Sequence, residues 1–368
     1  MGAKDYFLRF THELAYLELK QEACHADLFR PDLPLPIRTF DFLEGLRDDQ
    51  LDQSIDLSYF LKGMVWNVGI DPDFKYAPEY KEILKKAVSA PDRFACQLAK
   101  EAIEEGNLDH AGIAFRAALE LDSKNLFAKV QLAQFLFSRA MDAPQKDQEE
   151  LVKEASALYE EVLLCQENHV MANMGLGQLN EGLGHYLKAE AYYQRALEAA
   201  DREEIREQIR QAIVQIEPEA ALEDGIYYLN RANYPKAIEA FNRANKDRPR
   251  YDVDYYLGTA FQNLEKYVQA KDYFQSALDK GGDFEDLYNG LVYNLNALGK
   301  REEAIEYASL GLNRHPSALR LRFNRAILYS VLGEKKKALE DLDFLLGYSD
   351  LSDEFFSQVM TLREEIQK

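Results

Sequence analysis

The sequence predicts an all-α solenoid of helix–turn–helix units, and three observations carry that prediction. First, one neighbourhood recurs: an alanine, an aromatic four residues on, and a small residue seven on. It stands at Ala111/Phe115/Ala118, Ala189/Tyr193/Ala196, Ala237/Phe241/Ala244 and Ala270/Phe274/Ala277, with weaker copies anchored at Ala155, Ala304 and Ala338. Second, the anchors keep a period. The steps Ala155 to Ala189, Ala237 to Ala270, Ala270 to Ala304 and Ala304 to Ala338 are each about 34 residues. The steps from Ala111 to Ala155 and from Ala189 to Ala237 are longer. Third, Gly106, Gly184, Gly299 and Gly333 each stand five residues before an anchor, where a helix must end and the chain reverse. A fixed period of this length marks a repeat array.

Offsets of four and seven place three side chains on one helical stripe. Small residues at the ends of the stripe let a neighbouring helix approach, and the aromatic fills the space between. Pro235 suits a helix start, where its missing N–H leaves no bond unmade. Another amphipathic helix precedes each turn, as in DYYLGTAFQNLEKY (254–267), so the unit is a helical hairpin of about 34 residues. Two departures stand out. The polar segment 138–151 reads as an insertion between the two helices of the second unit. The stretch 201–218 reads as an extra or extended helix ending at Pro218.

Residues 1–91 lack the period. DYFLRFTHELAYLELKQEACHADLF (5–29) is helical by spacing, with Phe7, Phe10, Leu14, Leu17 and Cys24 near one face, and RPDLPLP (30–36) breaks it. A second helix centres on 57–69 and a third opens at Pro78. The expected organisation is an N-terminal helical module (1–91), repeats 1–3 plus an extra helix (92–217), repeats 4–7 (218–352) and a C-terminal capping helix (353–368). The module either caps the first repeat or carries a function of its own.

Composition excludes several classes. The formal net charge of −20 opposes duplex nucleic acid and anionic membranes, and no apolar run reaches the length of a membrane span. Cys24, Cys96 and Cys165 form no CxxC pair, and no secretory apolar region follows Met1, so a reducing, cytoplasmic setting is expected. Cys24, His25 and His12 match no common metal spacing. GLGQLNEGLG (175–184) has neither the strand nor the Lys-Ser/Thr of a phosphate loop, and its glycines fall on repeat positions. GxSxG, HExxH and Walker A motifs are absent. No active site, cofactor or metal is expected.

The unit resembles the tetratricopeptide repeat. YYLGTAFQNLEKYVQAKDYFQSAL matches through Tyr255, Leu257, Gly258, Phe261, Ala270, Phe274 and Ala277. MGLGQLNEGLGHYLKAEAYYQRAL matches through Leu176, Gly177, Gly184, Ala189, Tyr193 and Ala196, and Pro249 and Pro316 take the closing proline. About seven repeats start near 92, 126, 170, 218, 251, 285 and 319. The resemblance implies a right-handed superhelix whose concave face is lined by positions two, five, nine and twelve of each first helix. Here those positions offer Phe127, Val130, Gln134, Phe137, Met171, Met174, Gln178 and Glu181 in repeats 2 and 3. In repeats 4–7 they offer Leu222, Ile226, Leu229, Tyr255, Thr259, Gln262, Asn289, Tyr293, Asn296, Phe323 and Ile327. Such an apolar face is either filled by the chain itself or open to a partner.

Two known binding devices of this family do not fit. The carboxylate clamp of the chaperone-binding members fails in every register, since Arg320 and Asn324 alone do not make one. The asparagine ladder of the glycosyltransferase-linked arrays retains only Asn324. The expected function is a non-enzymatic adaptor that binds an apolar or amphipathic protein segment, with basic flanks favoured by the acidic chain. A peptide-responsive regulator with the N-terminal module as output is the second reading. An assembly chaperone or enzyme accessory subunit is the third.

Overall fold

The computed structural model describes residues 2–18, 29–30, 32–47, 57–246 and 248–368. Cys24 and His25 lie outside the described residues. The chain divides into two compact units, Met1–Ile213 and Val214–Lys368.

The first unit opens with α1 (Ala3–Leu8), a two-stranded ribbon of β1 (Leu14–Leu17) and β2 (Leu35–Arg38), and the helices α2 (Thr39–Arg47), α3 (Leu57–Ile70) and α4 (Ala77–Ala87). Within the described residues of 5–18, the helical spacing holds only as far as Leu8. Beyond it β1 pairs antiparallel with β2, Leu14 opposite Arg38 and Leu17 opposite Leu35. The cause is tertiary. Every residue of β2 is buried, and Gly63 of α3 lets the strand lie directly on the helix: a Cβ there would fall 1.9 Å from the Pro36 carbonyl oxygen. A buried strand with open hydrogen-bonding groups needs a partner more than segment 14–17 needs its helical preference.

Three helical hairpins follow: α5 (Pro91–Glu104) with α6 (Leu108–Leu121), α7 (Leu126–Asp142) with α8 (Gln145–Cys165), and α9 (Val170–Gly182) with α10 (Tyr186–Ala199). Asn107, Asn125 and His169 cap α6, α7 and α9, each accepting from the backbone N–H three residues on. The insertion at 138–151 forms no separate loop. It lengthens α7 and α8 to 17 and 21 residues, with a turn of two residues at Ala143-Pro144. The helix α3 packs on α6, and Arg116 of α6 donates to the last carbonyls of α3, Gly69 (3.0 Å) and Ile70 (3.1 Å). One apolar core runs from Ala3 to Leu179.

The helix α11 (Glu203–Asn230) does not end at Pro218 but continues through it. Proline removes the bond to the carbonyl four residues back, that of Val214. Val214 is 73 % exposed, so water can take up that carbonyl.

In the second unit the end of α11 packs with α12 (Tyr234–Ala244). Three more hairpins follow: α13 (Tyr251–Asn263) with α14 (Tyr267–Asp279), α15 (Glu285–Ala297) with α16 (Arg301–Arg314), and α17 (Leu319–Val331) with α18 (Lys335–Leu346). The last helix, α19 (Asp353–Gln367), packs on α17 and α18 and buries Val359 and Ile366.

In three hairpins a ring is seated against a glycine of the facing helix. A Cβ on Gly177 would fall 2.5 Å from Tyr193, one on Gly225 2.3 Å from Phe241, and one on Gly258 2.8 Å from Phe274. The sequence separation between glycine and ring is the same in all three. Gly258→Ala is therefore expected to destabilise the second unit by about 1–3 kcal/mol, the range for overpacking a close-packed core, read as a lower urea midpoint.

The hairpin turns make a second point. Gly106, Gly184, Gly299 and Gly333 take φ between +75° and +78°, and the equivalent positions in two repeats hold Ala232 and Glu265, both at φ 56°. A side chain in that left-handed region costs about 1 kcal/mol or more. Glu265→Gly and Ala232→Gly are expected to raise the thermal midpoint, each by about 0.5–1 kcal/mol of stability. Gly184→Ala in the same measurement should lower it.

Candidate functional site

The first helices of the last three repeats, α13, α15 and α17, lie side by side, and α19 follows α17. Between them lies a cleft of about 770 Å³. Six of the side chains expected from the repeat register line it: Tyr255, Thr259, Gln262, Asn289, Tyr293 and Phe323. They come together because positions five, nine and twelve fall on one helical stripe, and neighbouring first helices turn the same stripe toward the same space.

The wall is aromatic and amide-rich. Tyr255 lies against Phe274 (5.8 Å between ring centres) and Phe284 (4.9 Å), and burial with the nearby Asp286 carboxylate holds its phenol above the ordinary tyrosine range. Tyr293 is 52 % exposed. Asn324 donates to Asn289 (3.0 Å), and Asn294 donates to Gln262 (2.7 Å) and to the Gly290 carbonyl (2.7 Å). The pairs Asn324–Asn289 and Asn294–Gln262 tie successive first helices together beside the cleft.

The remaining expected residues are placed otherwise. Leu222, Ile226 and Leu229 are half-buried and pack on the core around Phe241 and Phe261. Ile327 is half-buried and Asn296 exposed, and neither lines the cleft. In the first unit Phe127, Gln134 and Gln178 are exposed and Met174 is half-buried. Val130 is 4 % exposed and belongs to the core. The helix α7 buries apolar side chains on more than one face, and Val130 at position five is one of them.

The repeat register did not point to the wall that α19 and the residues before it supply. Leu351 and Ser352 before α19, and Glu354, Phe355 and Gln358 on it, line the cleft together with Asp286, Arg320 and Asn324. Expected only as a soluble cap, α19 is also a wall. Phe355 meets Phe323 edge-on (5.4 Å), and Ser352 caps the helix through the Phe355 N–H. The signal was in the period: Glu354 follows Arg320 by the same step that separates Arg320 from Asp286, so α19 occupies the place of an eighth first helix.

Among the described residues no group of three or more His, Cys, Asp or Glu could hold a metal ion, and no helix is long and apolar enough to cross a membrane.

The fold defines a helical-repeat protein, hairpin stacked on hairpin with a lined cleft. Profiles of the tetratricopeptide repeat match residues 92–125, 148–204 and 222–283, and the chain carries tetratricopeptide repeats. Curated relatives include two proteins named peroxisomal targeting signal receptor. That of Candida albicans is 26 % identical over 278 residues, 74 % of this chain and 43 % of the relative. That of Candida glabrata is 31 % identical over 118 residues, 32 % of this chain and 20 % of the relative. The chain thus spans less than half the length of either. Among solved structures, a tetratricopeptide repeat protein from Parabacteroides merdae is 15 % identical (74 % of this chain, 98 % of that one, TM-score 0.34). YrrB, described as a TPR protein with an unusual peptide-binding site, is 20 % identical (51 % and 91 %, TM-score 0.37).

The contact between Phe355 and Phe323 yields a prediction. Phe355→Ala removes the ring that seats the start of α19, so amide exchange across 353–360 should quicken at least several-fold while α13 and α15 keep their protection.

Proposed function

We propose that this protein is a non-catalytic adaptor that holds a segment of another protein in the cleft between α13, α15, α17 and α19. The observation that carries this reading is the cleft itself: concave, about 770 Å³, with rings at its surface and amides beside them. Rings supply contact area at little entropic cost, and amides can exchange hydrogen bonds with a peptide backbone. Adaptor use also agrees with the repeat family, and the two Candida relatives are by name receptors for a targeting signal.

The test is retention of a partner by the purified, tagged protein. A partner held by the wild-type chain should be lost, with at least a tenfold fall in affinity, from the Tyr255→Ala/Tyr293→Ala double variant. Val268→Ala, an exposed site on α14 away from the cleft lining, should keep it. Equal retention by all three proteins would remove the cleft from the account.

A further inference from the structure

The second position of each first helix in the second unit follows a charge order. It is Asp286 on α15, Arg320 on α17 and Glu354 on α19, each one repeat step from the next, and all three line the cleft. The preceding member, Asp252 on α13, is already bound to Arg250 (2.6 Å) and does not line it. By contrast, Asp286, Arg320 and Glu354 have no ion-pair partner among the described residues. Arg320 is exposed, although carboxylates stand on the helices at either side.

We infer that the cleft reads the charge order of its ligand: an extended protein segment carrying a basic residue, an acidic residue three positions on, and a basic residue three further on. This rests on the adaptor reading of the same cleft. The spacing follows from geometry. Packed helices lie about 8–10 Å apart, and an extended chain of the polyproline II type, with three residues per turn, advances about 9 Å per turn and returns every third side chain to the same side. A segment in that conformation crossing the starts of α15, α17 and α19 thus brings every third side chain to Asp286, Arg320 and Glu354 in turn. The intervening apolar side chains then face Tyr255, Tyr293, Phe323 and Phe355. Asp350 beside Glu354 adds a further carboxylate and favours a base at that end.

The basic ends of such a segment also match the net charge of −20, which draws them toward the protein, while the acid between them needs the guanidinium of Arg320. No segment of the 368 residues carries this pattern, so the ligand is taken to be a segment of another protein. Within this chain only two pairs of basic residues stand six apart, Lys75/Lys81 and Arg314/Arg320. Midway between them are Pro78 and Ser317, neither an acid.

Two capped peptides test this, each blocked at both ends so that no terminal charge contributes: Arg-Leu-Ser-Glu-Leu-Ser-Lys and its inverse, Glu-Leu-Ser-Arg-Leu-Ser-Glu. Fluorescence anisotropy with the full chain should show the first binding at least tenfold tighter. Arg320→Glu should bind the first peptide at least tenfold more weakly than the wild type does. It should also bind a version with lysine at the central position more tightly than the wild type does. Asp286→Lys and Glu354→Lys should each reduce the preference for the first peptide over the inverse. Equal affinity of the wild type for both peptides, an unchanged ranking in Arg320→Glu, or no binding of either peptide would overturn the charge order. Tyr255→Ala/Tyr293→Ala separates this from the adaptor reading. If both peptides bind the wild type equally and both are lost from that variant, the cleft stands and the charge order falls. If binding survives the variant, the cleft reading falls with it.

Discussion

The structure depends on one contact: an aromatic ring on the second helix of a hairpin, seated where the first helix has no side chain. Gly177 with Tyr193, Gly225 with Phe241 and Gly258 with Phe274 set the closest approach of the two helices. Phe274 is held twice, because Gly290 of the next repeat faces the other part of the same ring. The ring therefore fixes a hairpin and also the step to its neighbour. Where the ring is missing, size is exchanged across the contact. Ala308 stands in place of the ring and Val292 in place of the glycine, both buried in one cluster. Tight packing of this kind forms a cleft from separate helices, because the stripe that faces away from the ring faces the open side.

Much of this was legible in the primary structure because it is periodic. Small–aromatic–small stripes and turn glycines report local geometry, and each recurs often enough to fix a register. That register placed Tyr255, Thr259, Gln262, Asn289, Tyr293 and Phe323 on one surface. It said nothing of which stripe residues are turned inward, as Val130 is, since helix rotation depends on neighbours. Periodicity also misled where a distant segment decided the outcome. Leu14–Leu17 has helical spacing but forms a strand, because buried β2 offers a backbone to pair with. Pro218 looked like a terminus, yet the loss of one exposed hydrogen bond is tolerated within a helix of 28 residues. The far wall of the cleft was missed because no second helix with a small–aromatic stripe follows α19 to mark it as part of a repeat, although Glu354 keeps the repeat step.

The cleft joins two kinds of chemistry that answer to different constraints. Its rings and amides belong to the packing scheme: Phe323 seats Phe355, and Asn289 holds Asn324, so these side chains are positioned before any ligand arrives. Its charges are not so engaged. The network of Arg325, Arg322 and Asp341 in the same repeat shows what a structural ion pair looks like here: Asp341 is buried, Arg325 donates to both of its oxygens and Arg322 to one, at 2.7 to 3.3 Å. Arg320, two residues before Arg322, has no such arrangement and faces the cleft. Rigid rings with unengaged charges beside them are what the proposed adaptor reading requires of this cleft.

Site-directed photocrosslinking tests the central claim most directly, because it reports contact rather than affinity. A photoreactive residue in place of Asn289, inside the cleft, is compared with one in place of Val268, exposed on α14 outside it. The account predicts that the partner is captured at 289 and not at 268, and that unlabelled partner segment abolishes the capture. Capture at 268 alone, or equally at both positions, would contradict it.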